Sequence, residues 1–523
     1  ELGIKRVMVH GEKPAAYMAD GYARIAGRAG VCMAQSVGAA NLAAGLQDSF
    51  LAGSPVIAMT GRRAQAHQQR HSYQEVDHRG PFDAVTKYSN AITKVDELPH
   101  ALRQAFRESV SGAPGPVHLD FDGIIGQDVL DVEGDLEVIV EEQFKNIPPF
   151  RPQPDSDSIA NFLKIINKAK KPIIVAGGGV AHSKAGAELV ALAEKLSIPV
   201  ATSLNGKGTI PDYHPLCVGV VGLYSRWSAN RAVSEADLVI YIGSSAGGMV
   251  TNEWTVPSPN ARTVQIDIDP RELGRNYPVL AAIQGDAKAS IKKILELSES
   301  NTERNGWIKR IQELVSGWRA EVEPLMLSDS SPVRTERLCR ELTELLPSDS
   351  ILVSDTGHSG VWTGSMIDLK HPGQSYIRCA GSLGWALPAA MGAKCAAPDR
   401  PVICFAGDGD FQMNMAELGT ALQYKAFPII LLLNNSSYGT IRMHQEKSFP
   451  DRVYGTDIEN PDYNMIAKAY GIPSYKVIKT EEFQQYFDKA IKSKKGALIE
   501  IILDIQSISP YKTLNEIKKE TCC

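Results

Sequence analysis

In Val402-Ile403-Cys404-Phe405-Ala406-Gly407-Asp408-Gly409-Asp410-Phe411 an apolar run breaks into a glycine-acid turn, and a helical pattern starts near Phe411. The run is too short for a helix and reads as a buried strand. Glycines let a ligand approach the backbone, a helix N-terminus offers unpaired N–H groups to phosphate, and a carboxylate in the turn can hold Mg2+ against it. The next apolar run, Ile429 to Leu433, ends in Asn434-Asn435-Ser436-Ser437-Tyr438-Gly439. Neighbouring parallel strands bring a carboxylate, an amide oxygen and free carbonyls to one carboxyl edge, where α/β proteins bind ligands. The pattern predicts a hard-oxygen magnesium site.

Outward from this segment, short apolar runs alternate with helix-length amphipathic stretches, the pattern of parallel sheets covered on both faces. Strands are expected at Val31–Met33, Pro55–Ala58, Val117–Leu119, Ile173–Val175, Leu238–Tyr241, Val264–Ile266 and Ile351–Val353 as well. The fold class is α/β throughout. An acidic, Pro-containing stretch ending in Ile147-Pro148-Pro149-Phe150-Arg151-Pro152, and Ser328-Asp329-Ser330-Ser331-Pro332, divide the chain. The domains expected are 1–130, a linker 131–154, 155–325 and 333–523. The chain opens at Glu1 and runs into Val7-Met8-Val9, which reads as a mid-domain strand, so an N-terminal part is expected to be missing.

A chain of 523 residues holds roughly three domains. Its formal charge of -5 is spread along the sequence, without the basic patch that binds nucleic acid or anionic membrane. The longest apolar stretch falls far short of the roughly 20 residues that span a bilayer. Eight cysteines, apart from the Cys522-Cys523 pair, are too scattered for a zinc ribbon or disulfide framework, which fits a reducing cytoplasm.

The pairing of Gly407-Asp408-Gly409 with Asn434-Asn435 resembles the signature of thiamine diphosphate enzymes, and the resemblance covers essentially the whole chain. It implies three doubly wound parallel-sheet domains, for the pyrimidine, a central role and the diphosphate. It implies Asp408, the Asn435 side chain and the Ser437 carbonyl as magnesium ligands, with Gly407, Gly409, Asp410 and Tyr438 beside the diphosphate. Glu12, in His10-Gly11-Glu12 before Met18-Ala19-Asp20-Gly21-Tyr22-Ala23-Arg24, stands where the family places a glutamate after a strand. Hydrogen-bonded to the aminopyrimidine N1′, that glutamate favours the imino tautomer, whose 4′-nitrogen takes the thiazolium C2 proton. Gly381-Ser382-Leu383-Gly384-Trp385-Ala386-Leu387-Pro388 resembles the segment that bends the cofactor, with Leu383 as prop and the Gly381 carbonyl receiving the 4′-amino group. Thr356-Gly357-His358-Ser359 resembles the turn that meets the diphosphate from the other side. The family sets the cofactor between the pyrimidine domain of one subunit and the diphosphate domain of another, which implies a homodimer or homotetramer.

Within the family, Tyr73-Gln74-Glu75-Val76-Asp77, the Gly112 to Val117 stretch and Gln265-Ile266-Asp267-Ile268-Asp269-Pro270 resemble acetolactate synthase, with Gln74 near cofactor and substrate. Cys379-Ala380-Gly381 and Leu383 resemble benzoylformate decarboxylase instead. That decarboxylase carries a catalytic histidine beside a serine where this chain has Gln35-Ser36. Glutamine cannot shuttle a proton, so release of an aldehyde by protonation loses its obvious acid and carboligation is favoured; His67, His71 and His444 are the candidates to stand in. The two flavin-contacting arginines of acetolactate synthases are absent from Ser245-Ala246-Gly247-Gly248-Met249, and Ile441-Arg442-Met443 is followed by His444 rather than tryptophan. Gly177-Gly178-Gly179 lacks the third glycine of a dinucleotide fingerprint, with His182 there, and reads equally as a tight turn. FAD is therefore kept only as an alternative.

The leading expectation is a homo-oligomeric thiamine diphosphate and Mg2+ enzyme that decarboxylates a 2-oxo acid and transfers the fragment to a carbonyl acceptor. A non-ligating decarboxylase or lyase is the second reading. A cofactor-binding subunit without turnover is the third, and Glu12, Asp408 and Asn435 together argue against it.

Overall fold

The structure, a computed structural model, describes residues 3–123, 136, 137, 139–301, 303–510 and 512–521. The expected boundary at 130 and 131 and the Cys522-Cys523 pair lie outside these residues. Among the described residues there are one four-stranded and two six-stranded sheets, with neighbouring strands pairing parallel.

The first sheet contains β1 (Gly30–Gln35), β2 (Val56–Arg62), β3 (Tyr88–Ile92) and β4 (Val117–Asp122), in the order β1-β2-β4-β3. The second contains β5 (Pro172–Ala176), β6 (Val200–Thr202), β7 (Cys217–Val220), β8 (Leu238–Ile242), β9 (Thr263–Asp267) and β10 (Val279–Gln284), in the order β10-β9-β8-β5-β6-β7. The third contains β11 (Ile351–Ser354), β12 (Ser375–Arg378), β13 (Val402–Gly407), β14 (Ile429–Asn434), β15 (Ser474–Val477) and β16 (Ala497–Ile502), in the order β12-β11-β13-β14-β16-β15. Each sheet is an open α/β sheet, as the alternating pattern predicts. Central strands such as β5, β8 and β14 are buried along their whole length, which is why they read as unbroken apolar runs. In the third sheet the chain leaves β11 for β12 on one side and returns to β13 on the other. The crevice beyond β11 and β13 is thus a topological switch point, the usual ligand position.

The helices Glu12–Ala26 and Ala386–Ala396 lock the first and third sheets together. They approach so closely that a Cβ on Gly21 would sit 2.1 Å from the Ala389 carbonyl oxygen, and one on Gly392 would sit 1.9 Å from that of Met18. Asp20 accepts from the Trp385 indole at 3.0 Å and from Arg24 at 2.8 and 2.6 Å, and the Arg24 guanidinium lies over the Trp385 ring. The Ala-Asp-Gly-Tyr-Ala-Arg stretch is therefore an interdomain clamp.

Two local expectations are corrected. Val7–Val9 joins no sheet among the described residues; Val7 and Val9 pack against the core of the third sheet, and the amides of His10 and Gly11 donate to the Glu417 carboxylate at 3.0 and 3.2 Å. Glu12 accordingly follows an unpaired extended segment, not a strand. The helix after β13 starts at Asp408 rather than near Phe411, because the Asp410 carboxylate turns back toward the Gly407 amide.

Candidate functional site

Register places Gly407 opposite Leu433, so β13 and β14 end side by side. Asp408 is buried, and its carboxylate accepts from the amides of Gly409 (3.0 Å) and Ser436 (2.8 Å) and from the Asn460 amide nitrogen (2.7 Å). A carboxylate offers about four lone-pair positions, so one stays free. Burial pushes this carboxyl above its ordinary range against those three donors, which is the electrostatic demand a cation satisfies. The Asn435 side-chain oxygen accepts from the Ser437 amide at 3.1 Å, and that bond aims it. Among the described residues nothing donates to the Ser437 carbonyl. One carboxylate, one amide oxygen and one free carbonyl suit a hard cation whose remaining ligands come from a phosphate. No group of three or more His, Cys, Asp or Glu suited to a metal exists among the described residues, so no competing cage is present. Gly409 cannot carry a side chain, because a Cβ would stand 2.5 Å from the Tyr438 ring. Asp410 is buried, and burial together with Asp355 pushes its carboxyl well up.

On the other side of the crevice, Asp355 at the end of β11 accepts from the amides of Thr356 (2.9 Å), Gly384 (3.1 Å) and Ala386 (2.8 Å). It ties the 356–359 turn to the 381–386 segment, and burial lifts its carboxyl to about 6. The His358 amide donates to the Thr440 hydroxyl at 3.0 Å, while a Cβ on Gly439 would lie 3.2 Å from both Asn435 Nδ2 and His358 Nδ1. Gly357 has a φ of 59°, and a Cβ there would meet the Thr440 hydroxyl at 2.8 Å. Burial pushes the His358 imidazole down to about 4, with nearby His444 adding to the effect, so the ring is neutral. His358 Nε2 is buried without a partner, an orphaned ring nitrogen that a phosphate oxygen would satisfy in the tautomer with its proton there. Ser359 is buried at the start of the helix His358–Ser365. The Gly381 carbonyl also receives no hydrogen bond among the described residues, and Leu383 is 38% exposed. These residues form one group with Asp408, Asn435, Ser437 and Tyr438.

A second group forms at the end of β1. Glu12 opens its helix and accepts from Asn41 Nδ2 at 3.2 Å; a Cβ on Gly38 would lie 2.6 Å from Glu12 Oε1, so the carboxylate leans over the first turn of the helix Val37–Ala52. Gln35, the last residue of β1, is exposed beside it. Ser36 and Gln74 have φ of 47° and 58°, and the Ser36 hydroxyl donates to the Gln74 carbonyl, joining Gln35 and Gln74 at one corner.

His78 holds this corner, and nothing in the sequence marks it. Its Nε2 lies 3.0 Å from the Ser36 carbonyl and its Nδ1 2.9 Å from Asp120, which also accepts from Thr60 at 2.7 Å and lies 3.5 Å from Arg62. Burial pushes Asp120 up, but bonds from His78 and Thr60 outweigh it and hold the carboxyl below its usual range. His118, neutral because burial takes it down to about 4, closes the network on Thr60 at 2.7 Å. Replacing His78 by Leu leaves the buried Asp120 with Thr60 and Arg62 alone, and urea unfolding should show a loss of about 3 kcal/mol, the usual result of breaking a buried pair.

Sequence reasoning also missed Asn460, which braces Asp408 and Asn434, and Asp48, which accepts from the amides of Ala380 (2.6 Å) and Gly381 (3.0 Å). Gly177 and Gly179 prove to be packing glycines, since a Cβ on either would strike Gly243 within 2.7 Å. His67 and His71 lie on the exposed 65–72 turn, and His444 faces His358 rather than the Gln35 corner.

Three family models match the chain: thiamine pyrophosphate enzyme, N-terminal TPP binding domain, over residues 1–80; central domain, over 159–294; and C-terminal TPP binding domain, over 355–501. The chain is 34% identical over 515 residues to a probable acetolactate synthase large subunit of Methanocaldococcus jannaschii, covering 96% of this chain and 86% of that protein. It is 33% identical over 501 residues to the acetolactate synthase large subunit of Corynebacterium glutamicum (93% and 78%). It is 31% identical over 509 residues to acetolactate synthase isozyme 2 large subunit of Escherichia coli (96% and 89%). The chain belongs to the thiamine pyrophosphate enzyme family and is acetolactate synthase-like.

Proposed function

We propose that the protein uses thiamine diphosphate and Mg2+ to decarboxylate a 2-oxo acid and join the remaining fragment to a carbonyl acceptor. The observation that carries this reading is the oxygen set at the ends of β13 and β14, where Asp408 keeps a free lone pair beside Asn435 and the unengaged Ser437 carbonyl. These three would hold the cation, and the Thr356 to Ser359 turn, with the orphaned His358 Nε2, would meet the diphosphate. Leu383 and the Gly381 carbonyl would shape and receive the pyrimidine end. Bound thiamine diphosphate supplies the electron sink that lets a 2-oxo acid lose carbon dioxide.

Glu12 would hold and return a proton at its free carboxylate oxygen. Gln35 and Gln74 would orient substrate through amides, which neither give nor take protons near neutral pH. Gln35 offers the bound fragment no proton, which favours transfer to a second carbonyl over protonation. The names of the relatives, acetolactate synthases, support the same choice.

Within one chain the two groups stand apart. Glu12 touches Gly38 at the start of the helix Val37–Ala52, whereas Gly381 is held by Asp48, ten residues on and about 15 Å along the axis. This separation supports a homodimer or homotetramer with each site shared between subunits. The exposed Val31, Met33 and Val37 beside Gln35, and Leu383, Met413 and Tyr438 near Asp408, supply apolar surface for such a contact. A reducing, cytoplasmic setting is supported by Cys32, Cys217, Cys339, Cys379, Cys395 and Cys404, each a free cysteine; among the described residues no helix is long and apolar enough to cross a membrane.

We read the central domain as flavin-free. Its cavity of about 840 Å³ is lined by four carboxylates, Asp267, Asp269, Glu272 and Asp286, against two arginines, Arg275 and Arg378, and the 245–249 stretch brings no cation to a dinucleotide diphosphate. The purified protein should show no flavin absorption band; a yellow protein contradicts this. For the reaction itself, incubation with pyruvate, thiamine diphosphate and Mg2+ should yield acetolactate. Acetaldehyde as the main product would favour the non-ligating decarboxylase.

A further inference from the structure

A cavity of about 760 Å³ lies where the three domains meet, lined by the end of the helix Glu12–Ala26, the 180–187 and 204–211 segments, and β12 with the loop before it. Its charged lining is one-sided. Arg24, Lys184, Lys207 and Arg378 face it with His182 and His214, and no Asp or Glu does. Most of these groups are already satisfied. Arg24 is paired with Asp20 and donates to the Arg378 carbonyl at 2.7 Å, Lys207 is paired with Asp212 at 3.1 Å, and His214 with Glu194 at 3.2 Å. Burial pushes the His182 imidazole down to about 4, so it is neutral.

Arg378 is different. It closes β12, the edge strand of the third sheet, and is 7% exposed, yet its Nε has no hydrogen-bond partner and no carboxylate pairs with its guanidinium among the described residues. Near it stand the phenols of Tyr224 and Tyr376 and the Cys379 thiol, each pushed up by burial and so uncharged, while the Arg24 guanidinium is paired with Asp20 and the Asp48 carboxylate is engaged by the Ala380 and Gly381 amides. A buried cation costs several kcal/mol unless an anion compensates it. The Lys184 ammonium, across the same cavity, likewise has no partner among the described residues. Arg378 also lines the adjoining acidic cavity of the central domain, so it stands at the opening between the two.

We infer that Arg378 anchors an oxyanion-binding site in the three-domain cavity, taking the phosphate or carboxylate group of a small-molecule ligand. The planar guanidinium matches either group in a two-bond fork, and Lys184 adds a second charge at the rim. The site is separate from the Asp408 and Glu12 groups and does not depend on the reaction proposed for them.

The test is calorimetric titration of the protein, with excess thiamine diphosphate and Mg2+ present, using inorganic phosphate and, separately, acetate. At least one probe should bind, and Arg378→Met should weaken it roughly tenfold or more, the equivalent of one or two charged hydrogen bonds. Arg378→Lys should keep part of the affinity. Tighter phosphate points to a phosphorylated ligand, and tighter acetate to a carboxylate. Thermal unfolding in anion-poor buffer separates this from a structural role, because Met keeps the packing and removes an uncompensated charge, so the midpoint should hold or rise. Failure of both probes to bind, equal binding by wild type and Arg378→Met, or a lower midpoint with unchanged anion binding would overturn the inference.

Discussion

Replacing Asp408 by Ala should abolish Mg2+-dependent binding of thiamine diphosphate and, with it, turnover. The carboxylate is the only charged member of the proposed cation set, and it organises the others by accepting from Gly409, Ser436 and Asn460. Removing it deletes a ligand and leaves the Ser436 amide only its longer, 3.2 Å bond to Asn434, loosening the 434–438 turn. Affinity for Mg2+ should fall by at least the roughly hundredfold that loss of a supporting partner can cost. Asn460→Ala, which removes only a brace, should cost about tenfold on the same scale. Calorimetric titration of each variant with Mg2+ at fixed thiamine diphosphate checks both; a variant lacking Asp408 that still binds cofactor in a Mg2+-dependent way would refute the assigned grip.

The second large effect is expected at Glu12. Glu12→Gln keeps the shape of the side chain and its contact with Asn41 but removes the ionisable oxygen. Loss of a positioned proton-transfer group typically costs roughly 10²- to 10⁴-fold, so turnover should fall in that range while cofactor affinity changes little. Exchange of the cofactor C2 proton, followed by NMR, should slow in parallel. Unaltered exchange would remove Glu12 from its role. The contrast between the variants is informative because Asp408 should act on binding and Glu12 on rate.

What the sequence conveyed about the site was local. Asp408 and Asn435 were legible because each follows a fully buried strand, and the break from apolar run to polar turn is visible within ten residues. The same contrast made β5, β8, β13 and β14 readable. Edge strands such as β3, Tyr88-Ser89-Asn90-Ala91-Ile92, were not, since a half-covered strand tolerates polar residues and loses its apolar signature. β16 was obscured by Glu500, which is buried with Asn434 and Asn464 donating to it at 2.7 and 2.9 Å and Lys476 3.5 Å away. His78, Asp48, Glu417 and Asn460 escaped notice for a related reason. Their partners are distant in sequence, as with the His10 amide and Glu417, and a buried polar pair has no periodicity. Val7–Val9 misled because an apolar segment docking onto another domain has the composition of a strand.

The proposed site is assembled from two halves, Glu12 with Gln35 and Gln74 on one subunit and Asp408 with Asn435 and Ser437 on another. Mixing tests this most directly. Glu12→Gln and Asp408→Ala proteins, each nearly inactive alone, are dissociated together and reassembled. In a mixed dimer one site carries both lesions and the other neither, so random pairing should restore about a quarter of wild-type acetolactate formation. Reassembly into mixed oligomers without any recovery would contradict the account.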